Sequence, residues 1–329
     1  MNVPPRDFIR VPHPEMQAFV SQAGQAAGLP KEKADLLAEL LTGNDLRGVF
    51  SHGSQQMAAY ARLMRDGHLN AAPEVQVAQE TPSSLLVDGD GGLGYFPAHE
   101  GTRRVIEKAR GQGIAVMLTR NHGHFGAAGL YSRMVVKHDM LAFVTSGHQL
   151  SLSPGDTVFN AAGGSPMSFC APAGEEDALV LDFGAMHDLY SGSPHRGEIA
   201  RLAPGLAFKC IGLGAVCQTW GGFLAGVPLD VARAQKRFQG ANQGSMVIAF
   251  RIDLFMPVAQ FKKEMDAYVR RVATLKPVEG FDRAYLPGGL EAERERDWRR
   301  EGIPVGKGHQ EGLEKLAEEF GIGVPWKKT

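Results

Sequence analysis

Forty-one of the 329 residues are glycine, and they are spread unevenly: residues 89–226 hold 24 of them. Glycine collects where backbone turns sharply or comes close to another chain segment or a ligand. The middle of the chain is therefore built from tight turns and close approaches, and it is the first place to look for a site. The glycines follow no triplet period and lie in no Pro-rich run, which excludes collagen and low-complexity sequence. A hydrophobic content of 43% with 22% charged residues suits a packed globular core.

Lys plus Arg number 35 and Asp plus Glu 36, a formal net charge of −1. This balance argues against a nucleic-acid or anionic-membrane partner, since phosphate binding calls for a basic surplus. No run approaches the length of a membrane span. The opening MNVPPRDFIRVPHPE lacks the apolar stretch of a signal peptide. Cys170, Cys210 and Cys217 are odd in number and lack metal-like pairing, and the expected compartment is a reducing cytoplasm.

Residues 14–67 read as helical. Met16, Phe19, Val20 and Ala23 have helical spacing, as do Leu36, Leu37, Leu40 and Leu41, and then Met57, Tyr60, Ala61 and Met64. The second and third helices meet at Arg47-Gly48-Val49-Phe50-Ser51-His52-Gly53. From about residue 84 strands and helices alternate. Strands are expected at 85–87, 114–118, 141–145, 167–171, 179–183 and 246–252, and helices at 98–110, 126–137 and 209–224. Beyond 257 the pattern is helical again. This describes an α/β central domain, residues 85–254, inserted in a helical domain built from both chain ends, 1–84 and 255–329.

Gly89-Asp90-Gly91-Gly92-Leu93-Gly94 matches the G-x-G-x-x-G dinucleotide fingerprint. The next strand, however, leads into Thr119-Arg120-Asn121, without the acidic residue that would grip a ribose hydroxyl. Pro97 also interrupts the helix entry. The cluster reads as a Gly-rich turn. No G-x-S-x-G, P-loop or H-E-x-x-H motif is present.

Several residues could carry chemistry. His52 sits among small residues at the interhelical bend, either as a proton-transfer group or as a surface or capping histidine. His122 and His124 lie in Asn121-His122-Gly123-His124-Phe125-Gly126-Ala127-Ala128-Gly129, after a strand and before a helix. Strand ends and helix N-termini in such proteins hold catalytic groups and anions, though a structural turn would look the same. Lys209, ahead of an apolar helix, could hold a carboxylate, phosphate or ribose, or could snorkel at a helix end. Ser153-Pro154-Gly155-Asp156 and Ala162-Gly163-Gly164-Ser165-Pro166 frame a loop that could cradle a ligand. Asp182 ends an apolar strand, with His187-Asp188 shortly after it. No metal site is assigned.

These segments together resemble the second, non-Rossmann type of malate/L-lactate dehydrogenases, a family with sulfolactate and ureidoglycolate dehydrogenases and cyclic imino-acid reductases. Leu46-Arg47-Gly48-Val49-Phe50-Ser51-His52-Gly53 is similar to its R-G-x-x-S-H-G, and Asn121–Gly129 to its N-S-x-H-F-G-A-A-G. Phe208-Lys209 with Gly212-Leu213, Leu286-Pro287-Gly288 and Gly302-Ile303-Pro304-Val305 are similar to further elements. The resemblance implies a non-Rossmann nicotinamide-binding domain, a homodimer, and hydride transfer between NAD(P)H and C2 of a 2-oxo or 2-imino acid. It makes His124 the acid/base next to the reacting carbon, with His52 a second catalytic candidate that lines the substrate. Ser51, Gln56, His122 and Arg47 fall at the substrate, and Lys209, Gly163, Gly164, Ser165 and Asp182 at NAD or NADP.

The chain departs from the family pattern at several of these positions. Gln56 stands where an Arg would grip a carboxylate with two charge-assisted bonds. His122 replaces a Ser, Asp156-Thr157 replaces a Gly pair, and Pro287-Gly288-Gly289 replaces P-G-E. The alternative expectation is a paralogue on the same scaffold that works without nicotinamide, by histidine acid/base, lyase or metal-assisted chemistry.

Overall fold

The computed structural model describes residues 3–234 and 237–327. In chain order the first elements are β1 (Phe8–Val11), α1 (His13–Ala26), α2 (Lys31–Leu46), α3 (Met57–Arg65), β2 (Gln76–Glu80) and β3 (Ser84–Asp88). There follow α4 (Tyr95–Gln112), β4 (Ile114–His122), α5 (Gly129–Val136), β5 (Met140–His148), β6 (Pro166–Ala171) and β7 (Leu179–Gly184). The chain continues with α6 (Arg196–Leu202), α7 (Pro204–Cys217), β8 (Gln243–Arg251), α8 (Val258–Ala273), α9 (Gly289–Glu301), β9 (Ile303–Gly306) and α10 (Lys307–Phe320).

Two compact units result: residues 1–73 with 285–329, and residues 74–284. In the first, the apolar stripes read from the sequence are buried: Met16, Phe19, Val20 and Ala23 on α1, Leu37 and Leu41 on α2, and Met57, Tyr60, Ala61 and Met64 on α3. Leu36 is only partly buried. β1 and β9 pair antiparallel, from Phe8 opposite Gly306 to Val11 opposite Ile303.

The central unit is wider than the expected 85–254. β2 belongs to it because β2 pairs antiparallel with β3. α8 belongs to it through Asp266, which accepts the amides of Gly174, Glu175 and Glu176 at 2.8–3.1 Å, and through Lys262, paired with Asp139 at 2.8 Å. Its sheet runs β2-β3-β4-β8-β5-β6-β7. Only β3 and β4 are parallel among the strand pairs described, so this α/β fold is not a doubly wound parallel sheet.

The ends of the strands collect polar groups. Gln243, at the start of β8, pairs with His122 at the end of β4 and with His148 at the end of β5. Asp88 ends β3 on the same side, and Pro166, which begins β6, pairs with Gly184 at the end of β7. A bulge falls just before His122, where Arg120 and Asn121 together oppose Gly244, with Asn121 at φ 54°.

Much of the glycine excess goes into close contact between one helix and this sheet. α7 runs on into a π-helical turn, Gln218–Phe223, whose backbone lies directly on β5 and β8. A Cβ on Gly221 would stand 2.6 Å from Ser146 backbone atoms, and one on Gly244 would stand 2.6 Å from the Gly221 carbonyl. The Gln218 side chain clamps the end of β5. It donates to the His148 carbonyl at 2.6 Å and accepts the His148 amide at 3.1 Å.

Candidate active site

In the first unit the end of α2 shapes the bend that carries Ser51 and His52. The Asn44 side chain donates to the His52 carbonyl at 2.9 Å. The Asp45 carboxyl accepts the Ser54 amide at 3.0 Å. Ser51 Oγ and His52 Nδ1 are 3.0 Å apart, and burial lowers the His52 pKa below its ordinary 6.5. Gln56 donates its amide to the Ser51 carbonyl at 2.6 Å, so part of its hydrogen-bonding capacity ties the bend.

Arg47, expected at the substrate, is a structural tie instead. Its guanidinium donates to the Gly43 carbonyl at 2.9 Å and pairs with Glu295 at 2.8 Å. With its side chain 15% exposed, its charge is already matched within the unit.

In the central unit, burial separates the two histidines of the 121–129 segment. His122 is fully buried. Its Nδ1 donates to the Gly123 carbonyl at 2.7 Å, and its Nε2 accepts from the Thr119 hydroxyl at 2.7 Å. The Thr119 hydroxyl also lies 2.6 Å from Ser245 Oγ. Desolvation pushes the His122 pKa down to about 4. A neutral ring with both nitrogens engaged holds the bulge together and leaves nothing for substrate, which corrects its assignment as a substrate contact. His124 is the one residue of 122–130 that is not buried. Phe125 and Tyr131 stack beside it at 5.3 Å, and Tyr95 meets its ring edge-on at 6.4 Å.

The Gly-rich turn at 89–94 spends its amides on protein. Gly89 and Gly91 donate to the Arg120 and Asn121 carbonyls at 2.9 Å, and Gly94 donates to the His124 carbonyl at 3.0 Å. The Phe238 ring lies where a Gly91 Cβ would be, 2.2 Å away. The cluster braces the histidine segment and is no pyrophosphate loop.

Gly163 and Gly164 line a cavity of about 380 Å³ with His148, Asn160, Tyr190 and Arg196. Tyr190 donates its hydroxyl to the Gly164 carbonyl at 2.7 Å, and the Arg196 guanidinium lies 4.2 Å from the Phe159 ring centroid. Burial lowers the His148 pKa. The sequence reading missed His148, Tyr190 and Arg196; a histidine following glycine at a strand end was the available signal. Ser165 is buried at φ 48°, and its hydroxyl accepts the Met186 amide at 3.1 Å. It caps a turn and is not part of the cavity lining, though its hydroxyl meets that of Tyr190, which is.

Asp182 is exposed, with its carboxylate against Gly129 at the N-terminus of α5. Lys209 does not begin its helix but lies within α7, exposed. Ala207, Ile211 and Gly214 of α7 face inward toward Ala162 and its neighbours. Lys209 shares the outward stripe with Leu206, Leu213 and Val216, so within one subunit it does not join the Gly163–Gly164 cavity. A second, larger cleft of about 990 Å³ lies along the ends of β3, β4 and β8, lined by Asp88, Arg120, Asn121, Gln149 and Gln243 among others.

The mixed sheet places a partly exposed histidine, His124, after β4 and a glycine-lined cavity beyond the end of β5. The chain belongs to the malate/L-lactate dehydrogenase family, whose sequence profile matches residues 11–186 and 191–314, and it is an enzyme of the dehydrogenase/reductase type. It is 26% identical to malate dehydrogenase of Pyrococcus abyssi, covering 96% of each chain. It is 25% identical to L-sulfolactate dehydrogenase of Methanocaldococcus jannaschii, over 90% of this chain and 93% of that one. Ureidoglycolate dehydrogenase (NAD(+)) of Escherichia coli O157:H7 is 24% identical over 85% and 87%. The solved malate dehydrogenase of Pyrococcus horikoshii shares the fold, with a TM-score of 0.84, 23% identity and coverage of 98% and 99%.

Proposed function

We propose that this enzyme transfers a hydride between NAD(P)H and C2 of a small 2-oxo or 2-imino acid, giving a 2-hydroxy or amino acid. The observation that carries the reading is His124, the one surface-reaching residue in a run of buried ones. Family membership and relatives named for 2-hydroxy-acid substrates support it. A relative named for NAD(+) supports the cofactor class.

The residues present fit part of a dinucleotide. The cavity at Gly163 and Gly164, with Arg196 as a cation and His148 beside it, suits a ring or a phosphate group. Asp182 lies outside that cavity's lining and remains a proposed contact for another part of the cofactor. When bound, the nicotinamide supplies or accepts the hydride. His124 manages the proton. As charge builds on the oxygen or nitrogen at C2, its imidazolium donates, and in the reverse direction the neutral ring takes the proton back. His52, kept neutral near pH 7 by burial, and Ser51 offer hydrogen bonds to substrate.

The test is turnover of NADH and NADPH with a panel of 2-oxo and cyclic 2-imino acids. His124→Ala is expected to lose activity on the order of 10²–10⁴-fold with its circular dichroism unchanged. Full activity in that variant would remove His124 from the reaction.

A second reading, acid/base chemistry without nicotinamide, is favoured by one set of facts. Ser165 turns inward and Lys209 lies on the outward face of α7. Saturable NADH or NADPH binding would exclude this reading.

We further propose a homodimer through the exposed apolar surface of α6, α7 and the turn that follows α7. Leu202, Leu206, Phe208, Leu213, Trp220 and Leu224 are each 43–70% exposed. Together they expose several hundred Å², on the scale of the roughly 800 Å² that each partner of a standard interface buries.

A further inference from the structure

Asp45 takes no part in the chemistry above, yet it is the most deeply placed acid beneath the Ser51–His52 bend. It is fully buried near the end of α2. Its Oδ2 accepts the Ser54 amide at 3.0 Å, and the neighbouring Ser54 hydroxyl favours the ionised carboxyl. Its Oδ1 has no hydrogen-bond partner among the described residues. That oxygen lies so close under Gly53 that a Cβ there would stand 1.8 Å away, so glycine alone fits between Asp45 and the bend. On the far side of Ser54, its Oγ is 3.0 Å from Nε2 of His309, a partly buried residue of α10.

We propose that Asp45 is a positioning residue that holds the Ser51–His52–Gly53 bend as a neutral carboxylic acid, within the row Asp45–Ser54–His309. A buried carboxylate with an unmatched oxygen is costly, whereas the neutral acid accounts for the hydrogens of the row. Its O–H donates to Ser54 Oγ, and the Ser54 O–H donates to Nε2 of a neutral His309. Ionising Asp45 reverses the row: Ser54 turns its hydrogen to the carboxylate, and His309 must switch tautomer to donate. The bend then rests on a desolvated charge.

The charged and titratable groups on surrounding elements are His13 of α1, Arg294 and Glu295 of α9, Arg47, His52 and His309. None of them adds to the perturbation of Asp45. Burial pushes it up from 3.8 to about 7, opposed only by the Ser54 hydroxyl and amide. In the folded protein the proton is thus retained between pH 3.8 and about 7, where the unfolded chain releases it. Asp45 therefore makes stability fall as pH rises through that window, and the loss is complete above it.

The effect on turnover rests on the proposed role of His52; the protonation of Asp45 does not. The first measurement is the protonated-carboxyl infrared band of the unsubstituted protein, expected at pH 6 and lost by pH 8.5. The second is melting temperature against pH for the unsubstituted protein, Asp45→Asn and Asp45→Ala. Asn mimics the neutral acid, so D45N is expected to melt at least as high as the unsubstituted protein at pH 8, while D45A melts lower throughout. The third is kcat, which D45A should lower on the order of 10²-fold and D45N should largely rescue. An Asp45 band absent at pH 6, or a D45N variant no more stable than D45A, would overturn the proposal. Failure of the kcat arm alone would count against His52 as a substrate-lining residue and leave the neutral acid standing.

Discussion

One glycine separates His122 from His124, and burial gives them different work. His122 is a neutral brace between Thr119 and the Gly123 carbonyl, so replacing it costs stability before it costs chemistry. His122→Leu leaves the Thr119 hydroxyl and the Gly123 carbonyl without their partner and should lower stability by about 1–3 kcal/mol, read by thermal or urea unfolding. Its pH signature has a definite sign. The folded value is depressed from 6.5 to about 4, so its contribution is complete above pH 6.5 and is lost as pH falls toward 4. That loss is at most about 3 kcal/mol. His309, also near 4, acts in the same direction, and Asp45 acts in the opposite one. Melting temperature is therefore expected to rise between pH 4 and 6.5. The His122→Leu variant should show a shallower rise.

At the scale of elements, the π-helical turn after α7 is where the glycines matter most. Gly221→Ala would place a methyl 2.6 Å from the backbone of Ser146, and neither backbone can yield without moving the sheet or the turn. The substitution should cost about 1–3 kcal/mol or more and loosen the Gln218 clamp on His148, read by unfolding and by amide exchange at His148. The major helices and most strands were legible in the sequence because their stripes are local: Met57, Tyr60, Ala61 and Met64 specify α3 unaided. β1 and β9 were not, because each has four residues and gains its partner from the far end of the chain. The site was legible in part. Residue type singled out His52 and His124, but not which histidine would be buried. Ser165 faces inward because of a positive φ that sequence does not display. Lys209 was misplaced by where α7 begins. Asp45 reads in sequence as one more polar residue near a helix end, and only packing shows it buried.

Across the whole chain, His52 lies in one compact unit, and His124 and the Gly163–Gly164 cavity lie in the other. The exposed apolar surface of α6, α7 and the turn that follows α7 adds a claim about assembly. Leu206→Glu with Leu213→Glu should convert a dimer to a monomer in sedimentation velocity, while a monomeric unsubstituted protein would refute the interface. Arg196→Ala should weaken cofactor binding by about tenfold if its guanidinium holds an anionic group, read by thermal shift. The most direct test of the account is fluorescence titration of the unsubstituted enzyme with NADH and with NADPH. Saturable binding of at least one of them, weakened by Arg196→Ala and retained in His124→Ala, is the expected result. No response to either at millimolar concentration would contradict it.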